Sequence, residues 1–469
     1  MAGQIGFADL HCHPNLKTFG HSFDDCSPNE KCSVWYYDPP GKLKKILNSL
    51  TGITRFSQSD FTTLSKGGAK VIVASLYPFE RGFFINAAGK GRVSAYLSNL
   101  ITGIGYNRIR YLQNNFNYFE DLENEYHFLQ KSRTDHRIEE TNYQWVLASD
   151  WNDVQRIIQT ENKIAVILSI EGAHVFNTGL GDFEVEVSEN EVLDNIRRVK
   201  NWQHPPAFIT FAHNFDNDLC GHAQSLEPIK RFVDQNSRLN EGFSPLGLKV
   251  LFELLSTDNG RPIYIDIKHM SLQSRKEYFN YLNREFGDKQ PPTIVSHGAV
   301  NGMTYSQDKG LTANSIFYPS DINFYDEEII QIGKYGGLFA IQFDARRIAK
   351  ANFVKKHLKD IWKDQQPLKS AQMIWHQIRH MAEVLDKNGI YAWGTACIGS
   401  DYDGTIDPLP GIWTAEHFTK LSKPLVAEAS FYLNNHPPLK MDENRNVTPE
   451  EIIDGFFLNN SLRFFKNYF

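Results

Sequence analysis

The chain has 469 residues, 41% hydrophobic and 22% charged, a composition of folded globular proteins that excludes disordered and fibrous classes. A formal net charge of −6, a pI near 6.3 and the lack of any long Lys/Arg run exclude the basic field that a nucleic-acid partner requires. No apolar run approaches the roughly 18 residues that cross a bilayer, and residues 1–13 carry no cationic region followed by an apolar one, so the expectation is a cytoplasmic protein with no membrane partner.

The first extended run, "IGFADLHCH" (5–13), ends in His11 and His13 and is stopped by Pro14. Seven more follow: "AKVIVASLYP" (69–78), "KIAVILSIEGAH" (163–174), "AFITFAHN" (207–214), "PIYIDIKHMS" (262–271), "PTIVSHG" (292–298), "GGLFAIQFDA" (336–345) and "ACIGSDYDG" (396–404). Most are continuous apolar runs rather than alternations, as parallel strands buried on both faces require. Between them lie helical patterns at 244–258, 272–287, 326–336 and 370–389. Strand and helix alternating eight times predict a (β/α)8 TIM barrel in one domain over residues 1–469; an open doubly wound sheet shares the local signals. Two stretches, 14–65 and 79–162, are too long for simple connections and are read as excursions that roof a site.

Five cysteines, Cys12, Cys26, Cys32, Cys220 and Cys397, include no C-x-x-C pair. Their number fits reduced, mostly buried thiols; a Cys26–Cys32 bridge would call for an oxidising compartment. Cys12, between the two histidines, is expected to face the helices and pack.

What ends each strand carries the functional signal. The runs close on His11 and His13, Glu171, His213, His269, His297 and Asp401. In a barrel these ends converge on one face, where such folds place active sites. A lone histidine there is ordinarily a satisfied polar group, and the Asp residues of "GSDYDG" are good turn formers. Six strands ending alike are a different matter, because buried carboxylates without a cation are costly. Imidazole with carboxylate and no thiolate cage suits zinc, or a neighbouring divalent metal, with a position left open for water. His11 and His13, two apart on a strand, point the same way and can share one ion; His269 and His297 would hold a second, with Glu171 bridging. Such a pair generates hydroxide near neutrality and polarises a carbonyl, and Asp401 would complete the first ion's shell and carry the proton to the leaving nitrogen.

The segments "DLHCHP", "SIEGAH", "FAHNFDN", "GFSPLGLKVLFELL", "IDIKHMS", "SHGAVNG", "GSDYDG" and "NNSLRFF" together resemble the amidohydrolase superfamily and, within it, the membrane (renal) dipeptidase family of binuclear zinc enzymes. The resemblance implies a barrel, often a homodimer, and two Zn2+ ions, one replaceable by another divalent metal. It implies a first site of His11, His13, Glu171 and Asp401, a second of Glu171, His269 and His297, Asp401 as acid/base, and His213 polarising the substrate carbonyl. Two departures stand out. The family's His-x-Asp is His-x-His here, and where the family has an arginine for the substrate carboxylate this chain has Ile322, beside Asp321. Arg346, Arg347 and Arg81, near other strand ends, are the candidates to replace that arginine.

The implied function is metal-dependent hydrolysis of an amide or peptide-like bond in a small molecule. Hydrolysis of a lactone or cyclic amide on the same metals is the near alternative, and a non-catalytic metal-binding barrel the distant one. The stretch "GFFINAAGKG" (82–91) has too long a glycine gap for a P-loop and Gly91 where Ser or Thr should stand. No G-x-S-x-G elbow is present, which argues against a serine nucleophile.

Overall fold

The computed structural model describes residues 6–24, 30–85, 89–181, 185–226, 233–306, 316–354 and 366–469; Cys26 and part of the 82–91 stretch lie outside them. Ten strands follow in chain order: β1 (Phe7–Cys12), β2 (Ala69–Leu76), β3 (Asp135–Ile138), β4 (Thr141–Leu147), β5 (Lys163–Glu171), β6 (Phe208–Thr210), β7 (Tyr264–Asp266), β8 (Ile294–Gly298), β9 (Leu338–Ile341) and β10 (Ala396–Ile398). Eight of them, one for each predicted run, pair in the order β2-β1-β10-β9-β8-β7-β6-β5, and β2 pairs with β5 to close a parallel barrel. The closed pairing decides for the TIM barrel over an open sheet.

The other two strands form an antiparallel hairpin inside the second excursion, and β4 adds in parallel to the first half of β5. The sequence reading passed over them because their residues are largely polar and half exposed, a pattern shared with loops. The four helical patterns fold as Pro245–Leu255, Leu272–Phe286, Asp326–Lys334 and Gln366–Lys387. Two begin on serine caps: Ser244 accepts from the Gly247 N–H ahead of Pro245, and Ser271 from that of Ser274.

Alternation along the strands builds two apolar layers. Ala8, Leu10, Val71, Val73, Ala165 and Ile167 cluster with Phe464 and Phe465 of the helix Asn460–Tyr468. Their strand neighbours Phe7, Ile72, Ala74, Ile164 and Val166 join the larger cluster shared with the surrounding helices. In β1 this parity breaks: Ala8 and Leu10 belong to the first layer, yet Cys12 packs with Phe7 in the second. The β1–β2 register shifts between Asp9 and Cys12, so a bulge turns His11 and His13 to the face that Ala8 and Leu10 occupy below. Cys12 is buried and packs outward, as anticipated.

One expectation is corrected. Cys12, Cys220 and Cys397 are free and buried, but Cys32 is disulfide-bonded. Among the described residues no helix is long and apolar enough to cross a membrane.

Outside the barrel, Arg275 and Glu328 form a fully buried ion pair (Nε–Oε1 2.6 Å) that locks Leu272–Phe286 to Asp326–Lys334. Glu328→Ala should cost about 3–5 kcal/mol by stranding the guanidinium. At Gly399 a Cβ would stand 1.8 Å from the Ser296 carbonyl oxygen and 2.6 Å from the Ala340 Cβ. Gly399→Ala should therefore destabilise by about 1–3 kcal/mol or more. Both effects are read as a lowered denaturant midpoint at unchanged m value.

Candidate metal centre

All seven strand-end residues meet at one mouth of the barrel. His213, His269 and Asp401 each stand three residues beyond the end of β6, β7 and β10, while Glu171 closes β5 and His297 lies within β8. Glu171 is the hub. Its Oε1 lies 3.3 Å from His11 Nε2, 3.5 Å from His213 Nε2, 3.6 Å from His297 Nε2 and 4.0 Å from His269 Nε2. Its Oε2 lies 3.2 Å from His13 Nε2. Asp401 Oδ1 stands 3.9 Å from both His11 and His13 Nε2. His269 and Asp401 hold positive φ, 65° and 60°, backbone strain of the kind that gathers at functional sites.

The outer hydrogen bonds fix which ring nitrogen faces the centre. Ser296 Oγ donates its single proton to Asp266 Oδ2, so it can only accept from His11 Nδ1 at 3.2 Å and His297 Nδ1 at 2.8 Å. His13 Nδ1 donates to the Ser75 carbonyl and His213 Nδ1 to Glu80 Oε1. With Nδ1 carrying the proton, a neutral ring turns a bare Nε2 lone pair inward. Burial pushes the pKa values of His11, His269 and His297 down, so these three rings are neutral. His269 and His297 Nε2 lie 3.1 Å apart, a contact in which the His269 ring can donate to the bare His297 nitrogen, and His11 and His13 Nε2 are buried with no hydrogen-bond partner. The bare Nε2 atoms of His11 and His297, 3.3 and 3.6 Å from a buried carboxylate, call for cations between them, so the donor set fits metal ions.

Other charges respond to the same crowding. Burial opposes the charge on His13, but the adjacent Glu171 carboxylate more than restores it, to a pKa of about 9. Burial and Glu171 push Asp401 up to about 8. Glu171 falls well below its ordinary value against burial, through His213, His11 and His13. Glu80 is drawn down to about 2 against burial by His213 and His174, and it also accepts from the Tyr77 hydroxyl and the Asn214 N–H.

The potential ligand atoms group differently from the expected two shells. One set is His11, Glu171, His297 and Asp401; the other is Glu171, His213 and His269. His13 sits on the far oxygen of Glu171 and His213 comes as near as the ligands do. Of the arginine candidates, Arg346 is held by Asp344 at 2.6 Å. Arg81 donates to the Gln113 and Asn115 carbonyls and lies over the Phe116 ring. Arg347 donates to the Ser225 carbonyl and has no carboxylate within ion-pair distance among the described residues. Ile322 is buried, and neighbouring Asp321 accepts from the Tyr325 hydroxyl.

Several residues around the site were missed from sequence: Glu80, Ser296, Asp266, Gln342 and Lys268. Gln342 Nε2 donates to Asp401 Oδ2 at 2.7 Å, and Lys268 Nζ, buried beside His269, reaches Gln342 Oε1 at 3.4 Å. Polar residues at or just beyond strand ends were the available signal; Glu80 follows β2, directly before Arg81.

The profile of the membrane dipeptidase family, peptidase family M19, matches residues 54–430. The chain belongs to that family. It is accordingly a metal-dependent, dipeptidase-like hydrolase. No curated protein matches the sequence significantly. Among solved structures, dipeptidase AC, an M19 metallopeptidase, is 11% identical with TM-score 0.54, covering 99% of both chains. A metallopeptidase from Rhodobacter sphaeroides, liganded with a phosphinate mimic of the dipeptide L-Ala-D-Ala, is 10% identical with TM-score 0.53 over 100% of both. At this identity the likeness extends to the barrel fold.

Replacing Glu171 by Gln removes the charge facing five imidazoles. Elemental analysis after dialysis should show metal affinity reduced by more than about 10–100-fold, the loss usual for outer-shell partners alone. Chelation should lower the thermal midpoint of the wild-type chain, and added divalent metal should restore it.

Proposed function

We propose that this chain is a binuclear zinc hydrolase, one position accepting another divalent metal, that cleaves the amide bond of a dipeptide-like substrate bearing a free carboxylate. The observation that carries the reading is the ring of five histidines within 4.0 Å of the Glu171 carboxylate, with Asp401 beside it. When bound, two ions supply Lewis acidity and a water that ionises near neutral pH.

The remaining chemistry belongs to side chains. Glu171 turns Oε1 to His11, His213, His269 and His297 and Oε2 to His13, so its carboxylate would be the ligand that two ions share. Asp401 is held at Oδ2 by Gln342, which leaves Oδ1 toward His11 and His13; there it takes a proton from the attacking water and returns it to the leaving nitrogen. His213 is oriented and kept charged by Glu80, against burial, and its Nε2 polarises the scissile carbonyl. Arg347, with no carboxylate within ion-pair distance among the described residues, grips the substrate carboxylate, and Lys268, which burial and the nearby Arg347 lower to a pKa of about 7, lies close to it. Ile322, apolar where the family resemblance calls for a cation, favours a second reading in which a cyclic amide or lactone is the substrate. The disulfide at Cys32 supports an oxidising compartment in place of the cytoplasm.

Asp401→Asn should retain metal and lower kcat about 10²–10⁴-fold; unchanged turnover would remove the shuttle role. Arg347→Met should raise KM for dipeptides about tenfold or more at nearly constant kcat. An enzyme inactive on dipeptides but active on lactones or hydantoin-like rings would decide for the second reading.

A further inference from the structure

Two helices of the long excursions are amphipathic in the wrong sense for a free surface. On Lys42–Thr51, Leu43, Leu47 and Leu50 are 70%, 51% and 69% exposed, while polar Asn48 is buried. On Arg92–Thr102, Val93, Tyr96, Leu97, Leu100 and Ile101 follow the 3–4 spacing of a single stripe, and every one is at least half exposed. A helix of a globular protein turns such a stripe toward the core. Of the 13 large apolar side chains exposed among the described residues, eight lie on these two helices, which makes a patch rather than scattered exposure.

The helices also share a groove. Leu47 and Asn48 of one and Asn99 of the other line a cavity of about 390 Å³, into which Lys17, Lys31, Lys44 and Arg55 also reach, with Asp38 the acidic residue of the lining. Cations flank both stripes: Lys42, Lys44 and Lys45 lie on the first helix, where Lys44 pairs with Asp38, in a chain whose net charge is −6. Lys90 and Arg92, both exposed, stand at the entrance to the second helix.

We infer that these two helices form a docking surface for an anionic lipid bilayer, with their leucine stripes buried in the interface and the basic groove between them facing the lipid headgroups. Amphipathic helices with an outward apolar stripe and flanking cations bind membranes by this combination, lying in the plane of the bilayer at shallow depth. It is attachment to a surface, which needs no helix long enough to span the bilayer, and among the described residues there is none. A second copy of the chain fits less well. A two-fold contact sets a patch against itself, and here it would bring the cations of both copies together with Asp38 the acidic residue of each lining to meet them.

The test is sedimentation of the full-length chain with vesicles of phosphatidylcholine alone and of phosphatidylcholine with phosphatidylserine. The wild-type chain should pellet with the anionic vesicles only, and release with rising salt. Lys90→Ala and Arg92→Ala should each lower partitioning about fivefold. Leu97→Ser with Leu100→Ser should abolish it at an unchanged thermal midpoint and unchanged hydrolytic activity. Failure of the wild-type chain to pellet with anionic vesicles would overturn the inference, as would equal binding to neutral ones or variants that partition like wild type. Concentration-dependent dimers that the double serine variant dissolves, without vesicle binding, would assign the face to a second copy instead.

Discussion

Neutral imidazoles directed at a buried carboxylate are the constraint from which the site follows. Ser296 has one proton and gives it to Asp266, so the rings on either side must present Nδ1–H to the serine oxygen and Nε2 to the interior. Burial denies those rings the extra proton that would soften the contact with Glu171. The polypeptide has thus assembled electron pairs against electron pairs in a region with little solvent. A folded chain tolerates such an arrangement only in combination with cations, and this couples metal binding to the integrity of the barrel mouth.

The barrel holds this arrangement because its ligands come from separate strands whose relative positions are set by closure. Glu171 is carried by the longest strand, which pairs with β2, β4 and β6. Asp266, on β7, receives hydrogen bonds from Thr210, Ser296 and the Lys268 backbone, and so ties together β6, β8 and the loop that carries His269. Asp9 plays the matching part on the other side, accepting from the Ser400 hydroxyl and N–H next to Asp401. These two buried acids do for the loops what hydrogen bonding between backbones does for the strands.

Much of this was legible in the sequence, for physical reasons that also mark its limits. Continuous apolar runs such as "KIAVILSI" announce strands buried on both faces, and polar residues at their ends announce the mouth. The hairpin of β3 and β4 was hidden because its half-exposed residues carry no apolar period. The grouping of His297 with His11, and of His213 with His269, depends on ring orientation around the barrel, which chain order does not encode. Glu80 and Ser296 are ordinary residues in the sequence; only the histidines they meet across the barrel, 133 and 285 positions away for Glu80–His213 and Ser296–His11, give them a role. The cystine at Cys32 and the outward stripes on Lys42–Thr51 and Arg92–Thr102 depend likewise on how the excursions fold back, and a period of 3.6 reads the same whether its apolar side meets protein or something else.

The bulge in β1 has a consequence for divergence within the family. Because the extra residue lets leucine line the floor and histidine the rim of the same wall, losing one position between Asp9 and Cys12 would exchange the two, presenting a thiol to the ions and driving an imidazole among the helices. Drift in this segment can therefore alter side chains but not their number, so alignments of distant relatives should be anchored on its length before its letters.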